Sequence, residues 1–274
     1  MMVSKINFQI LIATMNRGNL DFLYKMFPSH KVESLDIIIV NQTSPDKIVT
    51  SHSDSIKVIN SFEKGLSKSR NLALKNATSD WCLIADDDVI YTEKFENSIN
   101  SGIEKYNNSG VIIFESLVCN NVLRRRFPKN TKQKLTAFER FDVASFEMLL
   151  NRTTGFKVFF NENFGLGSDV FLCGEEALVM YDYCVRGTDV SFYKQPIVFH
   201  PKESTGVIYD HPLRYFTKGG MLKYMYPKSF KSWIFVQLFF DIKQNKISVS
   251  DVIKNYKEAI RGVKKINEIT HAAN

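Results

Sequence analysis

Apolar residues fall in short continuous runs through the first half of the chain, and stretches of helical spacing separate them. Phe8–Ala13 is one such run, followed by Met15-Asn16-Arg17-Gly18 and a helical stretch that reaches Phe27. Leu35–Val40, reading LDIIIV, is a second run and ends at Asn41-Gln42-Thr43-Ser44-Pro45; Ile56–Ile59 is a third. Leu66–Asn76 has helical spacing, and Trp81–Ala85 is a fourth strand closed by Asp86-Asp87-Asp88. Phe95–Tyr106 reads as helix and Val111–Phe114 as a fifth strand. Strands that are apolar throughout, separated by helices, predict an α/β architecture with a mainly parallel central sheet covered on both faces. Such sheets bind ligands at the carboxyl ends of their strands.

The middle of the chain is less regular. Asn121–Lys134 is basic and polar and reads as a loop. Phe138–Leu150 and Lys157–Phe160 are candidate strands, Asn161–Gly167 is a Gly-punctuated loop, and Glu175–Val185 has helical spacing. Val190–Tyr193 and Ile197–Phe199 read as two short strands. From His211 the pattern changes to aromatic helical stretches. Ser250 is placed to cap a helix with Val252, Ile253, Tyr256, Ile260, Val263 and Ile266 on one side.

Composition narrows the class. Apolar residues make up 44% of 274, with only 13 Gly and 7 Pro, which excludes a disordered or collagenous chain. Four cysteines without a C-x-x-C pair give no disulfide scaffold or structural zinc site, and suit a reducing compartment. The N-terminal apolar run is too short and too polar for a signal peptide. The run Trp233–Phe240 falls well below the roughly 20 apolar residues of a bilayer span, so no transmembrane helix is expected.

The net charge of +7 is unevenly placed. Residues 214–274 hold 12 Lys/Arg against 4 Asp/Glu, whereas the first 213 residues hold 24 against 25. A near-neutral body with a basic tail points to an anionic partner for the tail alone. Tail lysines interleave with aromatics, a mixture that suits an anionic membrane interface, single-stranded nucleic acid, or simple helix packing with solvated lysines.

The chemistry concentrates at Asp86-Asp87-Asp88. Three adjacent carboxylates repel one another, and gathering them at a strand end is costly unless a cation binds there. Oxygen ligands of this kind suit Mg²⁺ or Mn²⁺ held jointly with phosphate oxygens; a solvated acidic turn is the alternative. Upstream, Gly65-Leu66-Ser67-Lys68-Ser69-Arg70-Asn71 opens a helix, whose free N–H groups favour anions, and Arg70 adds a cation for phosphate or base.

Together the segment GLSKSRNLALKNATSDWCLIADDD resembles the nucleotide-sugar half of family 2 glycosyltransferases, in which G-x-S-x-A-R-N-x-G leads through a helix and a strand to an acidic D-x-D. Phe164-Gly165-Leu166-Gly167 followed by Gly174-Glu175-Glu176 is similar to the FGLG…GEE pattern of bacterial members that build surface polysaccharides. The resemblance covers residues 6 to about 206. It implies a GT-A-like catalytic domain over 1–210, with a nucleotide-sugar half of about 1–115 and an acceptor half of about 116–210. A helical extension over 211–274 follows.

The resemblance also assigns roles. Thr14 and Arg17 touch base and diphosphate, and Ser67 and Arg70 lie at the donor side of the helix start. Asp86 faces the ribose, Asp88 ligates Mn²⁺ or Mg²⁺, and Asp87 exchanges with either. Asp86 also counts among the metal ligands, and His200 completes the metal or diphosphate site; His211 has a weaker version of the same claim. Glu176 is the general base by position, with Glu175 as its rival, because the family commonly has Glu-Asp there. Asn41 stands where the family usually has an Asp that accepts from the base's ring N–H; an amide carbonyl can accept the same proton without the charge. The implied reaction is inverting, metal-dependent transfer from a nucleotide-diphosphate sugar, a UDP-sugar by preference, to a glycan or lipid-linked acceptor. The setting is cytoplasmic and peripheral to the inner membrane face. Two other readings are weaker. A sugar nucleotidyltransferase wants a Gly- and Lys/Arg-rich signature after the first strand, where only Arg17-Gly18 stands. A nucleic-acid-binding protein is disfavoured by the near-neutral body and the acidic cluster.

Overall fold

A computed structural model describes residues 8–155, 157–200 and 213–272. The element order is β1 (Phe8–Met15), α1 (Phe22–Met26), β2 (Ile37–Gln42), β3 (Ile56–Ser61), α2 (Leu66–Asn76), β4 (Trp81–Asp86), β5 (Ile90–Tyr91) and α3 (Phe95–Lys105), then β6 (Val111–Val118), β7 (Val122–Leu123), β8 (Met148–Asn151), α4 (Glu175–Val185) and β9 (Val190–Phe199). Three helices end the chain: α5 (Arg214–Met225), α6 (Phe230–Lys243) and α7 (Val252–Ala272). His211 lies outside the described residues.

The strands form one sheet in the order β3-β2-β1-β4-β8-β6-β9-β5, with β7 on β6. Strands β3, β2, β1 and β4 are mutually parallel, β6 is parallel to β9, and β8 runs antiparallel between β4 and β6. The mainly parallel sheet expected from the apolar runs is therefore present, with antiparallel additions at β5, β7 and β8. Alternate residues of each run serve opposite faces. Ile10, Ile12, Ile37, Ile39, Leu83 and Ala85 pack toward α1 and α3. Leu11, Ile38, Val40, Cys82 and Ile84 pack toward α2 and α4. Both faces are covered, which is why the central strands β1, β2 and β4 are buried almost throughout.

The register sets the site. Ala13 pairs with Asp86, and Thr14 with Asn41, so the ends of β1, β2 and β4 lie side by side at one edge. His200, the residue after β9, lies in the same region, and its N–H donates to the Leu117 carbonyl at the end of β6.

Several elements differ from their sequence reading. Lys157–Phe160 is no strand: the Phe160 N–H and carbonyl are both bonded to the Asn71 side-chain amide, so a helix residue stands where a neighbouring strand would. Within Phe138–Leu150 only β8 forms, preceded by 3₁₀ turns at Phe138–Arg140 and Ser145–Glu147. Val190–Tyr193 and Ile197–Phe199 join into one strand, because irregular pairing around Glu115 of β6 accommodates the polar residues between them. The α7 cap is Ser248, whose hydroxyl and N–H both bond Asp251 before Val252 begins the helix; Ser250 lies inside the capping turn.

The three C-terminal helices bury a third apolar cluster together with Phe164, Phe171, Ala177 and Leu178 of the body. Helices α5 and α7 cross closely. A Cβ on Gly219 would lie 1.9 Å from the Ala259 carbonyl, and one on Gly262 would lie 1.8 Å from the Phe216 carbonyl.

Candidate active site

The centre of the site is Arg70. It projects from the first turns of α2, and its side chain is 2% exposed. Nη1 donates to Glu175 Oε1 at 3.1 Å and to Glu176 Oε1 at 3.3 Å. Nη2 donates to Asp86 Oδ1 at 3.0 Å and to Ser145 Oγ at 2.7 Å. The Ser145 hydroxyl in turn donates to Asp86 Oδ2 at 3.1 Å. One fork of donors thus ties α2, the end of β4, the start of α4 and the turn before β8. Burial opposes the Arg70 charge, but Asp86, Glu176 and Glu175 outweigh it and raise its pKa.

One cation among three carboxylates leaves an excess of negative charge. The pKa of Glu176 is pushed up to about 8, by burial first and the charge of Glu175 second, with Arg70 opposing. Glu175 is closed off, with its side chain 4% exposed and Oε2 unpartnered. The Glu176 side chain is 20% exposed. Of this pair, Glu176 is therefore the more accessible.

The two sequence motifs that suggested the site meet here. Gly165 of FGLG lies between the starts of α2 and α4, at φ +109°, where a Cβ would stand 2.9 Å from Ser67 Oγ and 3.1 Å from Glu175 Oε1. The Ser67 hydroxyl donates to the Phe164 carbonyl. The Leu66 N–H donates to the Leu166 carbonyl at 2.8 Å, and the Gly65 N–H to Gln42 Oε1 at 2.8 Å. The sequence reading leaves the α2 N-terminus, Ser67 and Arg70 open to a phosphate. The structure instead closes the first N–H groups with the FGLG loop and Gln42, and turns Arg70 inward onto carboxylates.

A second group forms around Asp87. Arg17 donates to Asp87 Oδ2 from Nη2 at 2.6 Å and from Nε at 2.8 Å, and the Thr14 hydroxyl donates to the same oxygen. Arg17 keeps 39% of its side-chain surface exposed. Asn41 is 1% exposed: its carbonyl accepts the Arg17 N–H at 3.1 Å, and its amide donates to Asn60 Oδ1 at 3.2 Å. The position read as a base acceptor thus clamps the Arg17 turn.

Asp88 takes a third direction. Its side chain is 55% exposed, and Oδ1 lies 3.8 Å from His200 Nε2. The His200 ring stacks on Phe146 at 4.7 Å and 10°. Burial, followed by the charges of Asp86 and Asp87, raises the Asp88 pKa, with His200 opposing. The three consecutive aspartates thus have three separate partners, and Asp86, read as a metal ligand, has both oxygens engaged by Arg70 and Ser145. No group of three or more His, Cys, Asp or Glu placed to hold a metal occurs among the described residues. At this edge of the sheet, Asp88 and His200 bring a carboxylate oxygen and an imidazole nitrogen face to face. That donor set fits Mn²⁺ or Mg²⁺ whose other ligands are substrate phosphates and water.

Sequence reasoning missed three residues. Ser145 bridges Arg70 and Asp86. Gln42 caps Gly65. Glu147, fully buried, accepts from Ser116, Arg124 and Arg125 and fixes the basic loop beside the Ser145 turn. Ser145 and Glu147 carried only a general expectation of strand, and a lone Ser or Glu in such a stretch gives no signal of its own.

The model of the family described as glycosyl transferase family 2 matches residues 9–168. The chain belongs to that family. Membership sets its reaction class as glycosyl transfer and decides against a nucleotidyltransferase or a nucleic-acid-binding protein. Among solved structures, S. aureus TarS 1–349 in complex with UDP-GlcNAc is similar over 79% of this chain and 66% of that one, with a TM-score of 0.56 and 16% identity. S. aureus TarS 1–349 aligns over 97% of this chain and 92% of that one, with a TM-score of 0.53 and 14% identity. A UDP complex of the same protein gives a TM-score of 0.51 at 14% identity. These likenesses agree with the GT-A-like fold expected from the motifs. No curated protein matches the chain in sequence.

Proposed function

We propose that this family 2 enzyme transfers a sugar from a UDP-sugar to a hydroxyl of a glycan or lipid-linked glycan in cell-surface polysaccharide synthesis, with inversion at the anomeric carbon. The carrying observation is Glu176. It is the reachable acid of a buried cluster, its proton affinity is raised toward neutrality, and it stands at the strand edge where ligands of such sheets bind. Similar structures hold UDP-GlcNAc and UDP, which supports uracil as the donor's base.

In this reading Glu176 takes the proton of the acceptor hydroxyl as that oxygen bonds to the anomeric carbon, and the bond from that carbon to the donor's phosphate oxygen breaks in the same displacement. The UDP leaves with the bonding electrons. Arg70 and Glu175 act at one remove: they hold the Glu176 carboxylate and the Asp86 end of β4 in place. Arg17, paired with Asp87 and still partly exposed, is a cation at this edge that can meet the diphosphate. Asp88 and His200 would hold Mn²⁺ or Mg²⁺, which when bound neutralises charge on the leaving diphosphate. We further propose a cytoplasmic enzyme working at the inner membrane face.

A thermal-shift screen of nucleotide sugars, with and without Mn²⁺, tests the donor, because a selective ligand raises the melting temperature by mass action. A UDP-sugar should give the largest shift, and Glu176→Gln should keep that shift while losing transfer. Transfer at the wild-type rate by Glu176→Gln would overturn the assignment of the base.

A further inference from the structure

We propose that the outer face of α6 is a docking surface for an anionic lipid bilayer, with Phe235 and Phe239 entering the headgroup boundary and Lys231 and Lys243 meeting lipid phosphates. The inference deepens the peripheral location proposed above and does not depend on the donor.

The inner side of α6 is fixed. Ile234 and Leu238 are buried in the third apolar cluster, and Asp241 accepts from Arg214, Tyr215 and Gln237. The outer side carries Phe235 at 55%, Phe239 at 61% and Phe240 at 40% exposure. A helix that is apolar all round is ordinarily enclosed. Here 14 residues make a rod of about 21 Å at 1.5 Å per residue, against about 30 Å of hydrocarbon, so α6 would lie on a bilayer and not across it. No described helix is long and apolar enough to cross.

The spacing identifies the occupant. Lys231, Phe235, Phe239 and Lys243 follow at steps of four, which makes one stripe along the helix with a lysine at each end. Phe240 meets Phe138 of the body at 6.2 Å, and Phe235 stacks on Tyr256 of α7 at 5.1 Å, so the apolar surface continues on both flanks. At the start of α7 and along it, Asp251 is engaged by the Ser248 cap and Glu258 by Arg261. A second copy docked by a two-fold axis would set this face's lysines against their own kind. Anionic headgroups suit both the cations and the interfacial aromatics.

The test is co-sedimentation of the full chain with vesicles of phosphatidylcholine alone and of phosphatidylcholine mixed equally with phosphatidylglycerol. The wild type should bind the mixed vesicles and release in high salt. F235S/F239S and K231E/K243E should each weaken binding about tenfold or more while leaving the UDP-induced thermal shift intact. The lysine variant changes only exposed charges and carries the test if the aromatic variant fails to fold. Three results would overturn the proposal: no wild-type binding to the mixed vesicles; variants that bind as the wild type does; or a wild-type dimer that F235S/F239S converts to monomer without any vesicle binding. Salt-sensitive vesicle binding by a wild type that shows no UDP-induced shift would support the docking surface and count against the donor reading instead.

Discussion

Arg70 Nη1 lies 3.1 Å from Glu175 Oε1, across 105 residues of chain. The contact joins the helix start that follows the third strand to the helix start that precedes the last one. It explains why two motifs so far apart occur in one sequence. Each supplies a charge that could not be buried without the other.

Removing that guanidinium should therefore be severe. Arg70→Ala leaves Asp86, Glu175 and Glu176 without their shared cation, and breaking a buried ion cluster costs about 3–5 kcal/mol. The urea midpoint reads the loss. Arg70→Lys keeps the charge but not the planar fork whose two nitrogens reach Glu175/Glu176 and Asp86/Ser145 separately, and should fall between the wild type and Arg70→Ala. A midpoint for Arg70→Ala within error of the wild type would show that the cluster contributes nothing to the fold.

Glu176 links stability and activity to pH in opposite senses. Its folded-state pKa, about 8, lies above its ordinary value of 4.5, so the folded chain keeps a proton that the unfolded chain has released. The stabilisation from this group is full below the ordinary value and is lost as pH rises through about 8. A base, by contrast, works only when deprotonated, so kcat/KM should climb over the upper part of the same window. Glu176→Gln should flatten the stability profile and abolish transfer. A kcat/KM profile that is level between neutral and mildly alkaline pH would remove Glu176 from the role.

Sequence and structure agree best where one local pattern decides the outcome. The bounds of α2 and α4 match their reading because helical spacing and a preceding Gly mark each. The parallel strands were legible because an apolar run with no alternation has to be covered on both faces. What was not legible depends on partners distant in sequence. Phe160 looks like strand until Asn71 takes both of its backbone groups. Asn41 is read from its position alone, and its bonds to the Arg17 turn and to Asn60 appear only in the fold. The three aspartates look like a single cluster, but the chain directs them to Arg70, Arg17 and His200 in turn. Residue type and spacing singled out residues that the fold brings together; the pairings among them are tertiary.

Asp88 and His200 give a separable test of metal use. Asp88→Ala should remove the extra thermal shift that Mn²⁺ adds to a UDP-sugar, while the stability of the apoprotein changes little because the side chain is half exposed. His200→Ala should weaken the same effect, and should also lower stability through the lost stacking on Phe146. An unchanged Mn²⁺ effect in Asp88→Ala would sink the ligand assignment, whatever happened to activity.

Gly165→Ala asks whether the FGLG loop does more than connect. At φ +109° a side chain is strained wherever space exists, and here the space is taken by Ser67 Oγ and the Glu175 carboxylate. Strained backbone of this kind costs about 1–3 kcal/mol, and displacement of Glu175 adds to that by loosening its pair with Arg70. The variant should therefore lose stability and also lower kcat more than its reduced folded fraction explains, because the disturbed carboxylate adjoins Glu176. Comparison with Gly155→Ala separates the two effects. Gly155 also has positive φ, at +79°, but nothing lies within 4 Å of its added Cβ. It should lose stability through backbone strain and keep kcat per folded molecule. Equal kcat in the two variants would mean that the loop closes the α2 N-terminus without positioning Glu175 and Glu176.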